Sequence, residues 1–156
     1  MEQVAQPVEL QHGQRPDPER PLVFLDTSVI IEYLHGDPSG AKLFSAEEAG
    51  RIRFAVNGIV LQELLLAEDA VSRPDFERIR YRWRVLPEDL GKAEALLPRA
   101  RAMRNRLPHS NNIIIFSSAE ECDFLVTRDP DFKGLATDRK PQVVTPEDLV
   151  TRLRAA

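Results

Sequence analysis

A single cysteine, Cys122, stands among 156 residues, which excludes an internal disulfide framework and suits a reducing cytoplasm. No segment offers a Cys/His ligand set, so a zinc site has little support. No apolar run is long enough to span a bilayer. The first residues lack the basic-then-apolar order of a secretory signal. Positive charge is also short: the net charge of −4 argues against bulk adhesion to nucleic acid or an anionic membrane. It leaves room for a local basic groove. Neither a Gly-rich dinucleotide fingerprint nor a P-loop occurs, and no internal repeat is visible.

What is present is enough for one domain. Apolar content is 42%, an ordinary globular value. Residues 1–20 are rich in Gln, Pro, Glu and Arg and read as a disordered tail, with the domain running from 21 to 156. Leu22–Leu25 is a continuous apolar run, as expected of a buried parallel strand, and Thr27 or Ser28 is placed to cap the helix after it. Strands are also expected at Arg51–Val56, Arg84–Leu86, Phe124–Thr127 and Gln142–Thr145. Helices are expected over Ala41–Ala49, Ile59–Ala70, Asp75–Trp83, Pro87–Arg106 and Asn112–Glu121, and from Pro146 onward. Pro98 implies a kink or split in its helix. Short strands alternating with helices mean a three-layer α/β/α domain with a mainly parallel central sheet.

The chemistry-bearing residues sit at special places in this pattern. Asp26 directly follows the first apolar strand, and Asp129 lies two residues past Phe124–Thr127. Open α/β sheets collect ligands at the carboxyl ends of their strands. Glu63 interrupts the apolar run Ile59–Leu66. Each acid also has a simpler reading. Asp26 suits a cap, Asp129 and Asp131 suit an Asx turn around Pro130, and Glu63 suits a solvent-facing helix position. Cys122 reads as core packing. If the acids converge, they make a hard, oxygen-lined pocket suited to Mg²⁺ or Mn²⁺.

Four segments taken in order carry a family resemblance: Leu25-Asp26-Thr27-Ser28, Gln62-Glu63-Leu64, Leu125 through Phe132, and Val143 through Leu149. From about Pro21 to Leu153 the chain resembles the PIN domain family, and within it the VapC-like toxin ribonucleases of toxin–antitoxin pairs. That resemblance implies Asp26, Glu63 and Asp129 as catalytic residues, with Asp26, Glu63, Asn112 and Asp129 around Mg²⁺ or Mn²⁺. It also implies an RNA substrate, a cognate antitoxin and a homodimer in the cytoplasm. The pattern departs at one position: the acid expected at the start of the third segment is Asn112, which offers a neutral oxygen but no charge. Phe116, Ser117 and Ser118 partly replace small residues before Ala119.

Arg104, Arg106 and Arg128 are the substrate-binding candidates. A second run, Arg73, Arg78, Arg80, Arg82 and Arg84 with Tyr81 and Trp83, suits phosphate and base stacking, or equally a solvated face paired with nearby acids. A non-catalytic PIN module that binds RNA or a protein is the rival reading, and Asn112 is its support. A receiver-type phospho-acceptor role for Asp26 lacks both the acidic pair before it and a lysine after the late strand.

Overall fold

The computed structural model describes residues 20–103, 110–136 and 140–155. Its centre is strand β1, Leu22–Leu25, in which all four side chains are buried. Alternate residues of a strand face opposite sides, so a strand buried along its whole length must be covered on both faces. That explains the unbroken apolar run. Strand β2, Arg53–Asn57, lies on one side of β1 and β4, Phe124–Val126, on the other. β3, Arg84–Leu86, and β5, Gln142–Val144, form the edges. The order is β3-β2-β1-β4-β5 and every pairing is parallel. Leu25 stands beside Val126, so the chain leaves β1 and β4 side by side at the same end of the sheet. The strand order reverses there, which makes it the crevice where open α/β sheets bind ligands.

Seven helices among the described residues connect the strands. They are α1 Thr27–Leu34, α2 Pro38–Glu48, α3 Gly58–Leu66, α4 Arg73–Arg82, α5 Leu90–Ala102, α6 Ser110–Ala119 and α7 Pro146–Ala155. α1 packs on α2 and α2 on α7, while α5 packs on α6 and α6 on α3. The core joins the strands to Val29 and Ile30 of α1, Leu43 of α2, Leu64 of α3, Leu96 of α5, Phe116 of α6 and Phe132. Cys122 is fully buried, and that burial pushes its thiol up to about 12, so it is packing.

Several boundaries differ from the sequence expectation. Asp37 caps α2 by accepting from Gly40 N at 2.8 Å, so this helix starts at Pro38 rather than Ala41. Gly50, at φ +77°, follows that helix as expected. Asn57 ends β2 and caps α3 through Val60 N, and α3 stops at Leu66. β2 runs over Arg53–Asn57 rather than Arg51–Val56 and is buried on nearly every residue. Pro98 lies inside a continuous α5. The expectation of a disordered tail falls on residues 1–19, outside the described residues.

Candidate metal and catalytic site

Asp26 is the first residue beyond β1, and its backbone N–H still bonds to the Val126 carbonyl of β4. Its carboxylate caps α1: Oδ1 accepts from Thr27 N at 2.8 Å, in the position that Thr27 or Ser28 was expected to fill. Its other oxygen, Oδ2, accepts from the Thr127 hydroxyl at 2.7 Å. Asp26 is only 8% exposed. Burial raises its pKa above the ordinary 3.8, the bonds from Thr127 and Thr27 lower it, and Glu63 and Asp129 add a smaller rise. The cap expected of such an aspartate is present, and the same carboxylate also faces Thr127.

Thr127 ties Asp26 to the next acid. Its oxygen also accepts from the Asp129 backbone N–H at 3.0 Å. Asp129 then caps a 3₁₀ turn, Pro130–Gly134, with Oδ1 accepting from Asp131 N at 2.9 Å. This is the Asx turn expected around Pro130, and it leaves Oδ2 to accept from Asn112 Nδ2 at 3.1 Å. Across the pocket, Glu63 of α3 is half-buried and accepts from the Thr27 hydroxyl and, at 3.3 Å, from Asn111 Nδ2. Three carboxylates and two amides from four separate segments thus share one hydrogen-bonded cluster. Hydroxyls and amides lie between the acids. Among the described residues, no three Asp, Glu, His or Cys side chains come together in a group that would ligate one ion directly.

The neighbouring elements are tied together by buried polar groups that sequence reasoning overlooked. Asn57, fully buried, donates to Ser118 Oγ at 3.0 Å, and Ser118 donates to the Pro87 carbonyl at 2.8 Å. These bonds lock the start of the Glu63 helix to the Asn112 helix. The visible signal was an Asn at a strand end before a helix, which reads equally well as a turn. Phe116 is 1% exposed and belongs to the hydrophobic core.

The cations are placed differently from the acids. Arg128 lies between Thr127 and Asp129, yet its guanidinium binds Glu32 at 2.6 Å and Glu147 at 2.8 and 2.7 Å. Arg104 and Arg106 lie outside the described residues. In the second arginine run, Arg78 pairs with Asp75, Arg73 and Arg80 with Glu77, and Arg82 with Glu47 and Glu48. Trp83 is buried with its ring 5.0 Å from Phe54 and 5.3 Å from Phe44, so it is core rather than a stacking platform. Tyr81 is 72% exposed.

A parallel five-stranded sheet with carboxylates gathered at its switch point defines an α/β domain with an acidic site. The PIN domain family model matches residues 23–137, and the chain belongs to that family. No curated protein matches the chain. Among solved structures it is similar to VapBC2 from Rickettsia felis bound to a promoter DNA fragment, at 17% identity and TM-score 0.57, covering 79% of this chain and 96% of that one. FitAcB from Neisseria gonorrhoeae follows at 19% and 0.56, covering 80% and 98%. VapC20 from Mycobacterium tuberculosis, a sarcin-ricin loop cleaving toxin, is similar at 16% and 0.55, covering 76% and 99%. At such identities the likeness is one of fold.

Proposed function

We propose that this PIN domain is a divalent-metal-dependent ribonuclease of the VapC toxin type, with activity lowered by Asn112. The carrying observation is the meeting of Asp26, Glu63 and Asp129 with Asn112 at the switch point, from segments up to 103 residues apart in sequence. The donor set fits a hard cation, since every available donor is oxygen. Mg²⁺ keeps several waters and is held through one or two carboxylates. Asp26 and Asp129 would hold the ion, with Glu63 and Asn112 beside it. Once bound, such an ion supplies phosphoryl charge neutralisation and water activation.

The chain's own residues set the rest. Thr127 holds Asp26 and the Asp129 backbone in one register. Glu63, fixed by Thr27 and Asn111, is the group that orients the attacking water and takes its proton. Solved toxin–antitoxin assemblies of the same fold support an antitoxin partner, and an RNA substrate and a homodimer belong to the same proposal. Among the described residues no helix is long and apolar enough to cross a membrane.

A non-catalytic module is the second reading. It is favoured by Asn112 donating its Nδ2 to Asp129, so that the amide nitrogen occupies an acceptor a metal would use. Cleavage of single-stranded RNA, with Mn²⁺ and with EDTA, separates the two. Metal-dependent cleavage that rises in Asn112→Asp and vanishes in Asp129→Ala supports the nuclease. Inactivity of both the parent and Asn112→Asp supports the module.

A further inference from the structure

We propose that Asn111 and Asn112 form a two-armed amide clamp that assembles the acidic pocket without any cation, with Asn111 the positioning residue for Glu63. Both residues lie in the first turn of α6. Successive side chains on a helix diverge by about 100°, so neighbours reach different walls of a crevice. Asn111 reaches Glu63 on α3 and Asn112 reaches Asp129 beyond β4. The links then close through the rest of the pocket: Glu63 to Thr27, Thr27 N to Asp26, Asp26 to Thr127, and Thr127 to Asp129.

Gathered carboxylates repel one another unless a cation or donors stand between them. The nearest guanidinium in sequence, that of Arg128, binds Glu32 and Glu147 instead. An amide offers two N–H donors and no charge, so it satisfies a carboxylate oxygen without neutralising the pocket. The clamp therefore keeps the pocket acidic and ordered together. Asp at either position would add an acid and remove the donor, making assembly depend on metal. This inference rests on the hydrogen-bond geometry and stands whether or not the chain cuts RNA.

The test is hydrogen–deuterium exchange of the full chain in EDTA and with Mn²⁺ alone. In the parent, the backbone around Glu63 and Asn112 should exchange at nearly the same rate in both conditions. Asn111→Ala should exchange about tenfold faster around Glu63 in EDTA, the scale of one lost charge-assisted hydrogen bond. Asn112→Asp should also exchange faster in EDTA and return to the parent rate with Mn²⁺. A residue that only stabilises its own helix would show no such metal dependence. Parent-like exchange of both variants in EDTA overturns the clamp, and so does a parent protected only when Mn²⁺ is added. If Asn111→Ala does not fold, the side-chain Nδ2 protons of the unsubstituted protein decide by NMR. Slow exchange at both asparagines in EDTA supports the clamp, and free-amide rates overturn it. RNA cleavage is scored separately, so failure of the nuclease reading is distinguishable.

Discussion

The segment Thr127-Arg128-Asp129 has an inner and an outer side, and they solve the same electrostatic problem in opposite ways. Inside, Asp26, Glu63 and Asp129 are held by hydroxyls and amides, and among the described residues no cationic side chain takes part in their hydrogen bonds. Outside, Glu32 and Glu147 are held by the Arg128 guanidinium, with Asp37 at 3.8 Å. The outer acids have their counter-charge and are exposed to solvent. Among the described residues the inner acids have donors but no paired cation, and Asp26 is almost fully buried. A carboxylate group left without a counter-ion is one that favours a bound cation. Ionisation follows the same division: burial raises Asp26, whereas the hydrogen bonds from Arg128 draw Glu147 down to about 2.

The largest expected effect breaks the inner side. Asp129→Ala or Asp26→Asn should cut metal-dependent RNA cleavage by about a hundredfold or more, since each removes a carboxylate that the proposed function assigns to the metal. Both should still fold. Asp26→Asn keeps a side-chain oxygen for Thr27 N and removes a buried charge, so circular dichroism should show an intact domain. Unchanged cleavage in both variants would refute the site. Next is Asn112→Asp, which gives the inner side a fourth acid. Divalent affinity by calorimetry and cleavage should each rise about tenfold, while metal-free stability falls and recovers with Mn²⁺. A parent that binds two ions tightly would contradict this.

Breaking the outer side should cost less. Arg128→Met should lower stability by about 1 kcal/mol after allowance for solvent screening, and high salt should narrow the gap to the parent. Its effect on cleavage should be smaller than that of any inner acid. A loss as large as that of Asp129→Ala would show that Arg128 meets the substrate directly. The smallest effect is on pH dependence. Glu147 is lowered from 4.5, so its contribution to stability is present above 4.5 and is lost as pH falls toward about 2. Asp26 is raised from 3.8 and works in the opposite direction: the stability its proton confers is fully present below 3.8 and is lost as pH rises through the folded value. Glu147→Gln should therefore flatten the acid limb of a urea-denaturation series between pH 4.5 and 2. An unchanged limb would show that the Arg128 cluster contributes nothing to folding.

The strand positions, the order of elements and the three acids were legible in the chain itself, because each depends on local pattern. Leu22–Leu25 is apolar throughout since it is buried on both faces, and an acid directly after such a strand is conspicuous. The family could be read from the same four segments, and Asn112 stood out as a missing charge. Tertiary structure decided what each polar group bonds to. Asp26 both caps α1 and bonds Thr127, Trp83 is core although it sits among arginines, and Asn111 reaches Glu63 across 48 residues of sequence. Arg128 shows the limit most clearly. Its neighbours in sequence are candidate site residues, but the chain bends at Arg128 just past the end of β4. Its guanidinium therefore meets Glu32 and Glu147, brought there by α1 and α7, which no local pattern in the sequence encodes.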